Sequence, residues 1–387
     1  MKIALCLEYP LGLRGGVGII VENLAAQLAQ CGHKIILVSP DSPETLRPVE
    51  SARFFDEHIY WNPQKYSISN AKNLAQQLVA SKVDIAHFHA GGNYGWSNRF
   101  PFHSPIYYVS RAGISTLWTS HRAESLLDGF CGPQKPLLFK LMLLPIAWLG
   151  KLQQVWSSRF EIAVSQDNFK KIRRWYWPCR SRFVQIYHSR LHDGAGVHEN
   201  TGREPIILCV GHFAEIKGQA VLVEAFIRIA QRYPQFTLAL AGQLASDGTS
   251  ERIEKMILEY RLEKRVFLLG ERMDTHTWMQ RAAVYVQPSL NEAFGLALQE
   301  AMFYGCAVIG SRVGGIPELI RDNQTGILVA PGNVVELSAA LERYIQDPQL
   351  AGQCGAAAAA SIREHGMTVE TMTAKHLELY ERAAGKV

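Results

Sequence analysis

The stretch PIILCVGHFAEIKGQAVLVEAFIRIAQRYPQFTLALAG, residues 205 to 242, holds two apolar runs on either side of an amphipathic pattern. The runs PIILCVG and TLALAG are predicted strands. Between them, apolar residues recur with the period of a helix, so that one helical face carries Leu222, Ala225, Phe226 and Ile229. A strand, a helix and a second strand in this order form the unit from which parallel sheets are built. The stretch therefore predicts a parallel α/β fold.

The same alternation continues in both directions along the chain. Downstream, a helical pattern around Ile253 and Ile257 is followed by the predicted strands VFLLG, AVYVQPS, CAVIG and GILVA. Upstream, the predicted strands are KIALCLEY, HKIILVSP, VDIAHFHA, IYYVSR, STLWTSH and FEIAVS, with amphipathic helices before the second and the third. The fold class is therefore α/β from end to end.

The length of the chain indicates more than one domain. At 387 residues it is too long for one ordinary core, because single cores tend to stop growing near roughly 250 to 300 residues. The polar stretch YHSRLHDGAGVHENTGREP, residues 187 to 205, contains glycine and lacks periodicity, so it is the predicted linker. We expect one domain over residues 1–195 and a second over residues 196–366.

The composition is typical of a globular chain, with 48% apolar and 19% charged residues. Seven scattered cysteines, an odd number, indicate reduced thiols. The start MKIALCLEYP has too short an apolar stretch before Glu8 to be a secretory signal. The apolar residues 136–150 are interrupted by Lys140 and Pro145 and fall short of the roughly 20 needed to span a bilayer. We therefore expect a cytoplasmic protein.

Two predicted strands are followed by a glycine-containing loop that opens a helix. In GLRGGVG, residues 12 to 18, Gly15 and Gly16 would let backbone amides approach a phosphate at a helix N-terminus. A tight strand-to-helix turn is the alternative. In GHFAEIKG, residues 211 to 218, Lys217 can place a positive charge on a pyrophosphate, or it can be a solvated lysine.

A third segment, PSLNEAFGLALQEAM at residues 288 to 302, leads from a loop into a predicted helix. Glu292 precedes the helix and can accept hydrogen bonds from sugar hydroxyls, while Glu300, two turns further on, can accept both hydroxyls of a ribose. The first-turn amides that can hold a phosphate belong to Phe294, Gly295 and Leu296. Two ordinary exposed helix glutamates are the alternative.

Together these segments resemble the retaining glycosyltransferases of family 4. The second half carries, in the family's order, GHFAEIKG, LAG at 240–242, FLLG at 267–270, PSLNEAFGLALQE, VGGIPELI at 313–320 and TGILV at 325–329. The resemblance covers residues 200–366 clearly and residues 1–195 more loosely. It implies a GT-B architecture, in which two Rossmann-like α/β/α domains face a central cleft.

By this resemblance, the first domain binds the acceptor and the second binds the nucleotide sugar. The C-terminal helix, about residues 367–387, is expected to pack back on the first domain. Lys217 would bind the donor diphosphate, Glu292 the transferred sugar and Glu300 the ribose. The backbone around Arg272 would bind the base, and the diphosphate site would be completed by the amides of Phe294, Gly295 and Leu296.

In the first half, the resemblance implies that Gly16 approaches the reacting phosphate and that His121, in TSHRAE, is a catalytic histidine near the sugar. His87 and His89 alternate along one strand and therefore share a face. They either face the acceptor or are hydrogen-bonded core histidines. The acceptor-side candidates are Gly15, His87, His89 and Ser165.

One position departs from the family. His212 stands where the family usually has arginine, and a neutral imidazole lacks the bidentate fork of a guanidinium. Weaker donor binding, protonation of His212 by the phosphates, or an atypical donor would each follow from this change.

The implied activity is transfer of a sugar, with retention, from a UDP- or GDP-sugar to a hydroxyl of a glycan or glycolipid in polysaccharide or lipopolysaccharide synthesis. No metal and no further cofactor is expected, because the chain has no Asp-x-Asp pair. The segment HSRLH, residues 188 to 192, lacks the glutamate of the zinc hydrolase motif, so it is assigned to the linker.

Two segments bear on the acceptor. Residues 133–156 are rich in Leu, Trp and Phe with interspersed lysines, and residues 170–182 read KKIRRWYWPCRSR. This combination can lie on an anionic membrane surface, as a peripheral protein would. A buried helix beside an exposed basic face is the alternative.

Two rival functions remain open at this stage. A nucleotide-sugar 2-epimerase or hydrolase would use a similar donor site without an acceptor. A nucleotide-sugar binding protein without turnover is the other, and His212 is the feature that favours it. Nucleic-acid binding is not expected, because the basic cluster is short and no recognition module accompanies it.

Overall fold

A computed structural model of the protein describes residues 1–11, 15–42, 50–62, 67–90, 102, 104–121, 136–192, 202–244 and 247–385. The chain divides into two compact units, Met1–Arg190 together with Val369–Val387, and Leu191–Thr368. The division falls within the predicted linker, five residues before the expected boundary at residue 195.

The first unit alternates strands with helices. Its strands are β1 (Lys2–Leu7), β2 (Lys34–Ser39), β3 (Glu57–Tyr60), β4 (Ile85–Ala90), β5 (Ser115–Ser120), β6 (Phe160–Ala163) and β7 (Phe183–Gln185). The helices described up to Arg190 are α1 (Gly16–Gln30), α2 (Ile68–Ala80), α3 (Pro105–Arg111), α4 (Leu137–Ser157) and α5 (Gln166–Trp175), with 3-10 helices at Glu50–Phe54 and Trp177–Arg182.

These strands pair in the order β3-β2-β1-β4-β5-β6-β7, and every pair is parallel. In the central strand β1, Ile3, Ala4 and Leu5 have no exposed surface. Strands of parallel sheets are buried on both faces and read as continuous apolar runs. The runs KIALCLEY and HKIILVSP were recognisable for this reason.

One predicted strand is wrong. The segment IYYVSR lies in helix α3, which has a proline in its first turn and Ser104 before it. Proline at a helix start loses no hydrogen bond, and its fixed φ suits the helix. Ile106 and Val109, three residues apart, point to the buried side. The β-branched and aromatic residues of this segment are typical of a strand, and the seven residues of α3 are too few for the 3.6-residue period of a helix to be recognised in the sequence.

The second unit continues the alternation. Its strands are β8 (Glu204–Val210), β9 (Thr237–Ala241), β10 (Val266–Gly270), β11 (Ala282–Gln287), β12 (Ala307–Ser311) and β13 (Ile327–Val329). Its helices are α6 (Gln219–Ala230), α7 (Thr249–Glu259), α8 (Thr275–Arg281), α9 (Leu296–Phe303), α10 (Ile316–Leu319), α11 (Val334–Gln346) and α12 (Pro348–Glu364), with a 3-10 turn at Glu215–Lys217.

The sheet of the second unit has the order β10-β9-β8-β11-β12-β13, again with parallel pairs. Counted within the unit this is 3-2-1-4-5-6, the order of Rossmann folds. The order reverses between β8 and β11, and between β1 and β4 in the first unit. Ligands of such sheets bind beyond the carboxyl ends of the strands at this switch point.

The last helix, α13 (Val369–Ala383), belongs to the first unit. The hydroxyl of Tyr380 lies 2.7 Å from Nδ1 of His87 in β4, and Ser115 Oγ donates to the carbonyl of Ala383 at 2.8 Å. The C-terminal helix therefore packs on the sheet formed by the first half of the chain.

Helix α4 has 21 residues and carries Pro145 within it. Among the residues that the structure describes, no helix has the combination of length and apolar character that crossing a bilayer requires.

Candidate functional site

Lys217 lies in the loop that follows β8, at the switch point of the second sheet. The next residue, Gly218, has a φ of +69°, and a Cβ there would lie 2.1 Å from the carbonyl oxygen of Pro288. The backbone amides of Leu290 and Asn291 both donate to the carbonyl of Ile216, at 2.8 and 3.2 Å. The loops after β8 and β11 are therefore held in direct backbone contact.

This contact brings Lys217 and Glu292 together, although 75 residues separate them. The Nζ of Lys217 donates to Oε2 of Glu292 at 2.8 Å, and the side chains are 18% and 11% exposed. The pair is thus largely shielded, yet it keeps a face toward solvent from which a ligand can approach. A shielded ion pair interacts more strongly than one on an open surface.

Glu292 Oε2 also accepts hydrogen bonds from neutral side chains. Ser289 Oγ lies at 3.2 Å and Gln287 Nε2 at 3.4 Å. Gln287 donates to Ser289 Oγ at 2.9 Å and accepts from the hydroxyl of Tyr285 at 2.8 Å. These side chains form a polar chain that runs from the interior of β11 to the carboxylate.

The amides predicted to hold a phosphate lie where α9 begins. Gly295 is the N-cap, with a φ of +105° and no side-chain cap. The segment is braced by two glycines: a Cβ on Gly314 would lie 1.6 Å from the carbonyl oxygen of Glu292, and one on Gly315 2.7 Å from Cα of Phe294. The N–H groups of an uncapped first turn are ready donors for an anion.

Glu300 lies within α9 and is 7% exposed. Burial, followed by the neighbouring Cys209, Glu300 and Glu292, raises the pKa of Tyr285. Both glutamates therefore lie within electrostatic range of one buried hydroxyl of the second unit.

His212 follows β8 and Arg272 follows β10, two strands of this sheet that are separated by β9. The carbonyl of His212 accepts from Gln219 Nε2 at 2.9 Å. The loop is closed by Gly242, since a Cβ there would lie 2.0 Å from the carbonyl oxygen of Gly211. Arg272 is exposed and forms two 2.8 Å hydrogen bonds with Asp274, which raise the pKa of the guanidinium. Their roles toward the phosphates and the base stay predictions.

In the first unit, Gly15 is the N-cap of α1 and Gly16 is its first residue, without a side-chain cap. They follow β1, which lies beside the switch point of the first sheet. Residues 12–14 of the same glycine loop lie outside the described residues. Ser165 caps α5 and accepts from the amide of Asn168 at 3.2 Å, so it has a structural role whatever it contributes to an acceptor.

The three predicted histidines of the first unit lie side by side on β4 and just after β5. His87 is fully buried, with hydrogen bonds of 2.7 Å to the hydroxyls of Tyr380 and Thr119. It matches the alternative of a hydrogen-bonded core histidine. Nδ1 of His89 lies 3.2 Å from Nε2 of His121. Their roles in catalysis and acceptor binding stay predictions.

Two further histidines complete this cluster. The His188 ring centroid lies 5.0 Å from that of His121, and the His376 centroid lies 5.6 Å from that of His87 and 5.8 Å from that of His188. Burial, with the neighbouring histidines, lowers the pKa of His87, His89, His121 and His188, and burial lowers that of His376 to about 4. The cluster is therefore neutral near pH 7.

A metal site does not follow from this crowding. Both ring nitrogens of His87 are engaged with hydroxyls, and Nδ1 of His376 donates to the carbonyl of Met372 at 2.8 Å. In the described ranges, no three side chains of His, Cys, Asp or Glu form a group suited to a metal ion.

Each of the two units matches the sequence model of a known protein family. Residues 14–189 match Glycosyltransferase Family 4, and residues 196–361 match Glycosyl transferases group 1. The chain belongs to the group 1 glycosyltransferases.

Two curated relatives show what this glycosyltransferase is similar to. The lipopolysaccharide core biosynthesis mannosyltransferase of Rhizobium leguminosarum bv. viciae is 32% identical over 161 residues, 41% of this chain and less than half, 46%, of that protein. The phosphatidyl-myo-inositol mannosyltransferase of Mycolicibacterium smegmatis is 24% identical over an alignment of 402 positions, 100% of this chain and 95% of that protein.

A solved glycosyltransferase from Rickettsia africae has the same fold. It aligns with a TM-score of 0.76 at 22% identity and covers 99% of this chain and 98% of its own. This chain, with two parallel sheets of Rossmann-like strand order, therefore has the expected α/β GT-B fold.

Sequence reasoning missed several residues of these sites. Tyr285 and Gln287 alternate along β11 and so share a face with Ser289 beyond it, and a glutamine at the end of a buried strand was a readable signal. His188 was assigned to the linker, but it is 2% exposed within the first unit, so that assignment is wrong. His188 and His376 carried no local signal, because only tertiary packing brings them beside β4.

Proposed function

We propose that this glycosyltransferase moves a sugar, with retention, from a UDP- or GDP-sugar to a hydroxyl of a glycan or glycolipid. The observation that carries the proposal is the ion pair of Lys217 and Glu292, which lies at the β8/β11 switch point and beside the uncapped start of α9. A cation and a carboxylate meet there, and the helix start at Gly295 follows three residues after Glu292. These are the groups that a diphosphate linked to a sugar requires.

In the proposed reaction, the bond between the sugar anomeric carbon and the diphosphate oxygen breaks, and a bond to the acceptor oxygen forms. The proton of the acceptor hydroxyl passes to the departing diphosphate. Lys217 and the amides of Phe294, Gly295 and Leu296 stabilise the negative charge that builds on that group. Glu292 holds sugar hydroxyls and Glu300 holds the ribose hydroxyls, both as acceptors.

The donor site can be tested with Lys217→Ala and Glu292→Ala, and with Lys264→Ala as a control at an exposed lysine of the same unit. The first step is a thermal-shift screen of UDP- and GDP-sugars, since a ligand at 100 times its dissociation constant adds about 2.7 kcal/mol of stability. We expect both site variants to lower transfer at least about a hundredfold, as loss of one charged transition-state contact does. Wild-type turnover in both would refute the donor site.

The same assay separates the proposal from its rivals. Transfer requires an acceptor, whereas a hydrolase releases free sugar and an epimerase releases an isomer from the donor alone. Rapid release of either product without acceptor would replace the proposal with that reaction.

We also propose a lipid-linked acceptor that is reached at an anionic membrane surface. Two relatives are named for lipopolysaccharide core biosynthesis and for phosphatidyl-myo-inositol, which supports an acceptor of this kind. Helix α4 adds physical support, because it exposes large apolar side chains where a core helix would bury them. Among them are Leu137, Leu138, Leu141, Met142, Leu149 and Trp156.

Basic residues lie close to this apolar face. The side chain of Trp148 in α4 donates to the carbonyl of Trp175 at the end of α5, and the last turn of α5 carries Arg173 and Arg174. Trp177, two residues beyond α5, is 66% exposed. Exposed leucines, tryptophans and arginines together match a segment that lies in a membrane interface.

Vesicle co-sedimentation tests this surface. The protein should sediment with vesicles of phosphatidylglycerol and phosphatidylcholine at low salt, and much less with phosphatidylcholine alone, because the basic charge needs an anionic partner. Leu138→Ser with Met142→Ser should reduce binding, whereas Leu258→Ser, at an exposed leucine of the second unit, should not. Equal sedimentation of all three proteins would exclude α4 as the contact.

A further inference from the structure

The hydroxyl of Tyr285 has no part in the reaction proposed above, although it lies within the interior of the second unit. Its side chain is fully buried on β11, and its hydroxyl lies 2.8 Å from Oε1 of Gln287 and, further away, 3.4 Å from the carbonyl oxygen of Val210. Burial, with nearby Cys209, Glu300 and Glu292, raises the pKa of Tyr285, so the hydroxyl keeps its proton and remains a donor.

The direction of the hydrogen bonds is fixed from both ends. A carboxylate only accepts, so Gln287 must present its N–H group toward Glu292 and its carbonyl toward Tyr285. In that orientation Gln287 Nε2 donates to Ser289 Oγ at 2.9 Å, and Ser289 Oγ donates to the carboxylate at 3.2 Å. The three side chains form a relay in which each orients the next.

The relay and Lys217 converge on a single oxygen of Glu292. Oε2 accepts from Lys217 Nζ at 2.8 Å, from Ser289 Oγ at 3.2 Å and from Gln287 Nε2 at 3.4 Å. With Oε2 held by donors on several sides, rotation of the carboxylate is restricted, and Oε1 keeps its capacity for a further donor.

We propose that Tyr285, acting through Gln287 and Ser289, is a positioning residue that holds Glu292 in place when Lys217 turns toward the donor diphosphate. This inference rests on the proposed function. A phosphate competes with Glu292 for the charge of Lys217, and without the relay the carboxylate would then lose the neutral donors that still anchor Oε2. The relay keeps Oε1 directed at a hydroxyl of the donor sugar.

The test compares nucleotide diphosphates with nucleotide sugars. Calorimetry with UDP, GDP, UDP-glucose and GDP-mannose is carried out on wild type, Tyr285→Phe and Ser289→Ala. We expect both variants to bind the preferred nucleotide diphosphate within about twofold of wild type and to lose about tenfold in affinity for the nucleotide sugar. Tyr285→Phe removes a hydrogen bond to the Gln287 amide and Ser289→Ala one to the carboxylate. Tenfold in affinity is about 1.4 kcal/mol, which lies within the range for one such hydrogen bond. Tyr344→Phe is the control, since Tyr344 is a buried tyrosine of the same unit whose hydroxyl lies 3.5 Å from a backbone carbonyl.

A double-mutant cycle separates positioning from a merely structural role. In a Glu292→Gln background, Tyr285→Phe should have almost no further effect on nucleotide-sugar affinity, because the relay acts through the carboxylate. Additive losses in that background, or equal losses for the diphosphate and the sugar nucleotide, would overturn the relay. If wild type bound none of the four ligands, the proposed function would fall as well, whereas wild-type binding with unchanged variants would reject the relay alone.

Discussion

At the scale of single residues, the donor site depends on glycines that permit backbone contacts as much as on its charged side chains. Gly218, Gly242 and Gly314 each have a positive φ and lie so close to another backbone that a Cβ would overlap a carbonyl oxygen. Each belongs to a segment that the sequence marked by resemblance. The reason for these glycines, loops packed directly on one another, became visible only in three dimensions.

Gly218→Ala should therefore destabilise the second unit and weaken binding of UDP or GDP. The new Cβ would lie 2.1 Å from the Pro288 carbonyl, and the positive φ adds strain of its own. We expect a loss of about 3 kcal/mol or more in the free energy of unfolding, measured by urea denaturation.

Gly248→Ala is the matched control for this substitution. Gly248 has a φ of +83°, and among the described residues no atom lies within 4 Å of a Cβ added there, so it tests the cost of the φ alone. The free energy of unfolding of Gly248→Ala should fall by about 1 to 2 kcal/mol, and this variant should still bind UDP or GDP. Equal losses for the two variants would show that the contact with Pro288 is not important.

At the scale of elements, the last helix, α13, contributes one histidine to the histidine cluster of the first unit. His376 and Tyr380 lie on its buried face. The other histidines of the cluster lie opposite that face: His87 and His89 on β4, His121 after β5 and His188 after β7. A helix of this kind was readable from its periodic pattern. That its histidine would meet His87 and His188, and through them the rest of the cluster, could not be read, since the other histidines come from three distant segments.

The cluster predicts loss of stability in mild acid. Histidines of the unfolded chain have a pKa near 6.5, whereas the pKa of buried His376 is about 4. The stabilisation is complete above pH 6.5 and is lost as the pH falls toward 4, because the unfolded chain then takes up protons that the folded state does not. His376 alone should contribute a loss of about 2 kcal/mol between pH 7.5 and pH 5.

Urea denaturation at these two pH values measures the effect. Between pH 7.5 and pH 5, the free energy of unfolding of His376→Leu should fall by about 2 kcal/mol less than that of wild type. His276→Leu, at an exposed histidine of the second unit, should show the same fall as wild type. A wild-type stability that does not change down to pH 5 would contradict the prediction.

At the scale of the whole molecule, the two units repeat one plan. Both sheets are parallel and reverse their strand order beside the first strand of the unit. In each unit the glycine loop after that first strand opens a helix near the switch point, at Gly16 in one and at Gly218 in the other. The functional candidates of both units therefore follow the carboxyl ends of strands.

Metal removal tests the chemistry that we propose for the molecule as a whole. If Lys217 and the amides of α9 stabilise the departing diphosphate, dialysis against EDTA should leave the transfer rate within about twofold of the untreated enzyme. Added Mg²⁺ or Mn²⁺ should restore nothing that EDTA removed. A loss of tenfold or more that either ion reverses would assign part of that role to a metal.

The amino-acid sequence by itself determined the α/β class, six strands of the second unit and the segments that hold Lys217, Glu292 and Glu300. These features are written in local periodicity and in short motifs, which depend on neighbours along the chain. Tertiary structure alone decided that IYYVSR is a helix, that His188 belongs to a buried cluster, and that Tyr285 reaches Glu292 through Gln287. The contacts of His188 join strands and loops that are distant in sequence, so their geometry follows from sheet order and loop packing. The helix at IYYVSR and the relay from Tyr285 to Glu292 are short segments, and their side chains meet as they do because of what the surrounding core buries.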